Sequence, residues 1–191
     1  MTVIHAFTIR YSTLVRRITT EILLTVGFDP QQPPADPPAE YRTSALWDTG
    51  ATQSVITKAT ANALQLVPVG QTTVNHAGGC SQANTYVVNI ILPNKVGFVG
   101  VLVSECPDVA GNFGAIVGMD IISQADLSIT NAGGQTWMSF RTPSIQPIDY
   151  VIEANRLKFA GAKRNAPCPC GKLGSDGKPV KYKACHGKTI H

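Results

Sequence analysis

Along roughly the first 140 residues, apolar and polar positions alternate with the two-residue period of strands more often than with the 3.6-residue period of helices. "AFTIRY" sets Phe7, Ile9 and Tyr11 between polar neighbours, and "RITTEILLTVGF" and "TSALWDTG" have strand length. "QTTVNHAGGCSQANTYVVNIIL" predicts two strands around a turn at Gly78-Gly79, and "ADLSITNAGGQTWMSF" a hairpin turning between Asn131 and Gly134. "VGFVGVLVSE" has little polar interruption, so a buried strand is expected there. Helical patterns are short. "TKATANALQL" is one, with Thr57 placed as its N-cap, and "GAIVGMDIISQ" runs from a strand into another. There is no repeat and no heptad pattern.

Two segments break this texture. "DPQQPPADPPAEYR" holds five prolines between positions 30 and 38 and reads as an extended, exposed loop, since proline donates no backbone hydrogen bond. After "RTPSIQP", Ile148, Val151, Ile152, Asn155 and Phe159 fall at mostly helical spacing. The expected organisation is a mainly β domain over 1–147, a linker helix over 148–163 and a small tail over 164–191.

Composition sharpens that division. The 191 residues are 43% hydrophobic and 15% charged, enough for a real core. The formal charge of +4 is unevenly spread. From Arg156 to His191 there are nine Lys and Arg against one acid, Asp176, which leaves seven basic residues and eleven acids before them. A mildly acidic body carries a basic tail, which suggests an acidic or nucleic-acid partner or simply a solvated face. No stretch reaches the roughly 18 to 20 apolar residues of a spanning helix, and Glu21 interrupts the apolar run that follows Arg16-Arg17. A cytoplasmic protein without a membrane partner is expected. Cys80 and Cys106 then read as reduced thiols.

Asp48 is the lone acid of "SALWDTGATQSVIT", where an apolar strand breaks at Gly50. Taken alone, Asp-Thr-Gly is turn chemistry, because Asp bonds nearby backbone and Gly tolerates positive φ. The wider order of motifs says more. An apolar triplet, Asp48-Thr49-Gly50-Ala51, a glycine-bearing hairpin at 74–88 and then Ile116-Val117-Gly118 opening a helix follow one another. This set, over roughly 18–141, resembles the retropepsin-like aspartic proteases.

The resemblance implies a closed β-barrel of the acid-protease type and hydrolysis of polypeptide substrates without a catalytic cofactor. It implies that Asp48 is catalytic, with Thr49 and Gly50 supporting the active-site loop and Gly78 and Gly79 giving mobility to a substrate-binding flap. Only one Asp-Thr-Gly is present, so the second carboxylate has to come from another copy of the chain, in a homodimer. The proline-rich insertion is longer than in the compact viral enzymes, while Asp120 resembles a common variant among cellular members and is read as a structural acid capping the following helix, not a catalyst. His76 in the flap is read as a surface residue. A silent retropepsin fold, kept for peptide binding or as an adaptor, is the alternative.

The tail carries a second signal. Cys168-x-Cys170 and Cys185-His186 supply three thiolates and an imidazole, a complete tetrahedral zinc set with no open position, hence structural and one per chain. A fragment so short and polar has no core, so metal would have to supply its folding energy. Arg164-Asn165, Pro167 to Gly171, Lys181 to Lys183 and Cys185 to Gly187 resemble the SEC-C motif, with a longer loop between the ligand pairs. That resemblance implies a bacterial or phage-related source and docking to a protein, a ribosome or nucleic acid.

Overall fold

The predicted alternation becomes strands in a computed structural model, which describes residues 3–29, 31–32, 34–76, 79–106 and 112–187. The chain divides into two compact units, Met1–Ile145 and Gln146–His191.

In the first unit, β2 (Thr19–Val26) shows how pattern becomes packing. Thr20, Ile22 and Leu24 are buried on one face while Glu21 is exposed on the other. It pairs antiparallel with β3 (Glu40–Trp47) across the proline-rich loop. β3 runs parallel to β8 (Ala115–Val117), and β8 pairs with β4 (Val55–Thr57). β4 pairs with β7 (Gly97–Cys106), β7 with β6 (Gly79–Ile91), and β6 returns to β2. Six strands thus close into a barrel, and β5 (Gly70–His76) hangs on the outer edge of β6. Leu24, Ile56, Val88, Val103 and Val117 fill its interior. The fold is mainly β with a closed barrel and short helices, as expected.

A second sheet of β1 (His5–Arg10), β10 (Trp137–Thr142) and β9 (Asp126–Thr130) packs through Phe7 and Phe140 onto Trp47, with ring centroids 6.2 and 5.0 Å away. Asp126 ties β9 to the end of β10. Its carboxylate accepts from the Ser144 hydroxyl and from Arg141, and those bonds hold it below the usual carboxylate range.

Helices are shorter than the sequence suggests. α1 (Lys58–Ala63) has the predicted cap, the Thr57 hydroxyl oxygen accepting from the Thr60 N–H, but ends at Leu64, its C-cap, which is buried in the core. α2 (Met119–Ile122) is a single turn. β7 is a strand but not a buried one, with Val99 48% and Leu102 47% exposed, because only one face of a barrel strand points inward. Among the described residues, no helix is long and apolar enough to cross a membrane.

The second unit begins with α3 (Tyr150–Lys158), capped by the Asp149 carboxylate, which accepts from the N–H groups of Val151 and Ile152. It is shorter than the predicted span. Beyond it come a 3-10 turn at Tyr182–Ala184 and two isolated bridges, Pro167 with Lys181 and Leu173 with Pro179.

One close approach in the barrel leaves no room for change. A Cβ at Gly118 would lie 2.6 Å from the carbonyl carbon and oxygen of Gln53. Gly118→Ala is therefore expected to cost about 1–3 kcal/mol as backbone shifts to relieve the overlap. Gly97→Ala, whose new methyl meets nothing nearer than 3.9 Å, should change stability by less than about 0.5 kcal/mol. Urea unfolding of the two variants checks the contrast, and equal midpoints would contradict it.

Candidate functional site

Asp48 stands where β3 leaves the barrel. The residue before it is pinned on both sides: the Trp47 indole N–H donates to the Thr20 hydroxyl at 2.9 Å, and its backbone N–H donates to Ile18 O. The Asp48 N–H then donates to Val117 O at 3.0 Å, continuing the β3–β8 ladder by one residue. The loop turns back at once. Gly50 N–H donates to the Asp48 carboxylate at 2.8 Å, and Ala51 N–H to the Asp48 carbonyl at 3.2 Å. The carboxylate is half-buried and held by backbone, while Thr49 and Gly50 are exposed beside it. Such a group accepts protons or hydrogen bonds from anything entering the loop's concave side.

The loop that follows Asp48 shares a cleft with the β5–β6 hairpin, and Asp48 itself is not among the described residues that line it. A cleft of about 400 Å³ has Gly50, Ala51 and Gln53 on one wall and Thr72 and Val74 of β5 on the other, with Ser104 of β7 between them. The first six residues of β6 pair with β5 alone, so the hairpin projects beyond the barrel as an arm. At its end His76 pairs with Gly79, whose φ of +122° is open to glycine. Gly78 lies outside the described residues. β5 is an edge strand with one side of its backbone unpaired, the geometry that accepts an extended peptide.

Ser54 and Asp120 were not picked out together by the sequence. The Asp120 carboxylate accepts from the Ser54 N–H at 3.0 Å and from its hydroxyl at 2.8 Å, while the Ser54 oxygen accepts from Gly118 N–H at 3.1 Å. Asp120 also accepts from Ile121 N–H, but Gly118 occupies the N-cap of α2, so its main office is a clamp between two loops rather than a helix cap. The only sequence signal was a carboxylate two residues after the second glycine.

In the second unit the four predicted ligands come together. The Sγ atoms of Cys168, Cys170 and Cys185 and a ring nitrogen of His186 lie within 4.8 Å of one another. Cys170 and Cys185 are 3.6 Å apart, and His186 Nδ1 is 3.3 Å from Cys168 and 3.4 Å from Cys185. A tetrahedral site with metal–sulfur bonds of about 2.3 Å and a metal–nitrogen bond of about 2.0 Å has edges of about 3.8 and 3.6 Å. The donor set therefore fits a metal ion closely.

Backbone bonds set this spacing. Cys168 N–H donates to Val180 O and Val180 N–H to Lys172 O, folding the intervening loop back, with Gly171 and Gly177 at positive φ in its turns. Phe159 packs on His186 at 4.7 Å between ring centroids and on Tyr182 at 6.2 Å. This aromatic support was also missed, because three residues spread over 159–186 show no period. Burial pushes the Cys168 thiol up, but the Cys170 N–H and then His186 outweigh it and bring it down to about 6. Burial, followed by the neighbouring Cys170 and Cys168, pushes Cys185 up to about 11. Crowded thiols so opposed are what a divalent cation relieves.

The sequence model of a family described as aspartyl protease matches residues 39–121, a stretch that contains Asp48, Gly79 and Gly118 and excludes the second unit. No curated protein matches the chain. Among solved structures it is similar to a retropepsin-like aspartic protease from Rickettsia conorii, at 14% identity over 73% of this chain and 95% of that one, with a TM-score of 0.45. It is similar also to EIAV protease complexed with the inhibitor HBY-793, at 26% identity over 58% and 88%, with a TM-score of 0.40. A third likeness is to simian foamy virus (mac) protease, at 17% identity over 43% and 81%, with a TM-score of 0.33.

The full chain is expected to hold about one equivalent of a tetrahedral divalent metal. Cys168→Ser combined with Cys170→Ser should release it and leave the melting of the barrel unchanged. Metal analysis after gel filtration reads the first outcome and calorimetry the second; stoichiometric metal in the double variant would refute the assignment.

Proposed function

We propose that the chain is a homodimeric aspartic endopeptidase in which Asp48 of each copy supplies one of two catalytic carboxylates. The observation that carries this reading is the setting of Asp48. Its carboxylate is held by Gly50 N–H at the end of a buried strand, and the loop that holds it forms one wall of a cleft under a projecting hairpin. The match of 39–121 to an aspartyl protease family supports it.

Two facing carboxylates cannot both ionise cheaply, so they share one proton and divide the work. The ionised Asp48 takes a proton from a water as its oxygen attacks the peptide carbonyl carbon. The protonated Asp48 of the other copy gives its proton to the carbonyl oxygen. Collapse of the tetrahedral intermediate re-forms the C=O, breaks the C–N bond and delivers a proton to the departing amine. One chain offers only one Asp-Thr-Gly, so the second copy completes the chemistry. β1 and β9 leave free sheet edges on which such a copy can add strands. Thr49 is exposed beside the carboxylate, and in this reading its hydroxyl would meet its own copy across a two-fold axis.

The metal of the second unit is zinc in this reading, since three thiolates and one imidazole are its preferred closed set. It is structural and takes no part in hydrolysis. A reducing, cytoplasmic compartment keeps those thiols available to it.

Asp48→Asn is expected to lower cleavage of a proteome-derived peptide mixture by about 10³-fold or more, with the dimer intact by sedimentation. Wild-type protein inert from acidic to neutral pH would sink the peptidase assignment. Specific activity should also fall as the protein is diluted through its dimer dissociation constant. Activity per chain independent of concentration, in protein that sediments as a monomer, would remove the shared site.

A further inference from the structure

We infer that one face of the zinc-ligand unit is a sequence-independent binding ridge for the phosphate backbone of nucleic acid. Lys163, Arg164, Lys172, Lys178, Lys181 and Lys183 are all exposed in this unit. They are not scattered around it. Lys183 N–H donates to Arg164 O at 3.0 Å, Pro167 bridges to Lys181, and Val180 N–H donates to Lys172 O at 2.9 Å. Two backbone segments, 163–172 and 178–183, therefore run side by side and bring the six cations onto neighbouring stretches.

Tyr182 is half-buried and packs edge-on to Phe159, whereas Lys181 and Lys183 on either side of it are exposed. None of the six cations is ion-paired: among the described residues the one salt bridge is Arg141 with Asp126, in the other unit. The lone acid between 156 and 191, Asp176, uses its carboxylate to accept the backbone N–H of Lys178. The ridge is net positive: its six cations face the single carboxylate of Asp176, and the unit's other acids, Asp149 and Glu153, belong to the α3 segment.

Its chemistry separates possible occupants. Protein interfaces are built on aromatic and arginine anchors and are depleted in lysine, whereas this ridge has five lysines to one arginine. Leu173 is the large exposed apolar side chain between 163 and 183, too little to seat a hydrophobic hot spot or to insert into a bilayer. Lysine ammonium groups act as point charges and suit phosphates met at many orientations, without the bidentate fork that reads guanine. A regular polyanion that exchanges condensed counterions for such charges is nucleic acid.

The inference is independent of the peptidase reading, and its test reads no peptide cleavage. Fluorescence anisotropy of the full-length protein with labelled 20-nucleotide RNA and a 20-base-pair DNA duplex is the measurement. Both should bind, with scrambled sequences within about threefold of one another, and the log–log slope against salt should lie near −3 to −5, as roughly four to six contacts require. Lys181→Gln with Lys183→Gln should weaken binding about tenfold at low salt and shallow the slope by roughly two. Lys172→Gln with Lys178→Gln should do the same independently, and metal content equal to wild type shows that each variant is folded. Absence of binding at 50 mM salt, affinity insensitive to salt, or affinity unchanged in both variants would overturn the inference. So would polyglutamate or anionic vesicles displacing RNA as effectively as unlabelled RNA does.

Discussion

Gly118 passes the Gln53–Ser54 peptide at a distance that admits no side chain, and the site depends on that crossing. The two loops that meet there come from opposite ends of a long connection: one follows β3 and carries Asp48, the other follows β8 and opens α2. Nothing local in either stretch would hold it against the other. The missing Cβ allows backbone to approach backbone, and the Ser54–Asp120 bonds then lock the contact. Met119 N–H reaching Ala51 O at 2.8 Å adds a third tie within the same few residues. The carboxylate of Asp48 inherits its position from this crossing and from Trp47 buried beneath it, so an exposed loop is tied to the core through its neighbours.

What the sequence made visible, and what it hid, follows from the range of the interactions. The Asp48–Gly50 turn and the clustering of Cys168, Cys170, Cys185 and His186 were legible because chemistry restricts residue type at fixed short spacings. The strands were legible from alternation, and the cap of α1 from Thr57 and its distance to Thr60. Closure of the barrel was legible through the resemblance alone, because the pairing of β2 with β6 brings together residues more than sixty positions apart with no mark on either strand. The reading of β7 as buried failed for a related reason. An apolar run fits a strand covered on both faces, yet β7 has water on one side of a closed barrel and tolerates Val99 and Leu102 there. Asp120 was seen as a carboxylate near a helix start, and its partner lay 66 residues back.

The two units rest on different physics. The barrel buries a continuous set of aliphatic side chains, and apolar burial at about 25 cal/mol per Å² stabilises it without cross-links. The second unit has little beyond Phe159, Tyr182 and the cluster itself. For it the ligand set stands in for a core, which explains why four of its polar residues are so tightly placed while the loop between them can lengthen. Loss of metal should therefore melt one unit and spare the other, a separation that a shared core would forbid.

Charge follows the same division. The first 155 residues carry more acids than bases, and the remainder reverses the sign within a few dozen residues. A site built on two like carboxylates works by holding negative charge together, and a surrounding basic surface would drain that tension by pairing. The excess of Lys and Arg falls instead within the second compact unit, which carries its own ligand cluster. In the proposed reading each unit would then meet its own partner, an extended chain at the Asp48 loop and a polyanion on the lysine ridge.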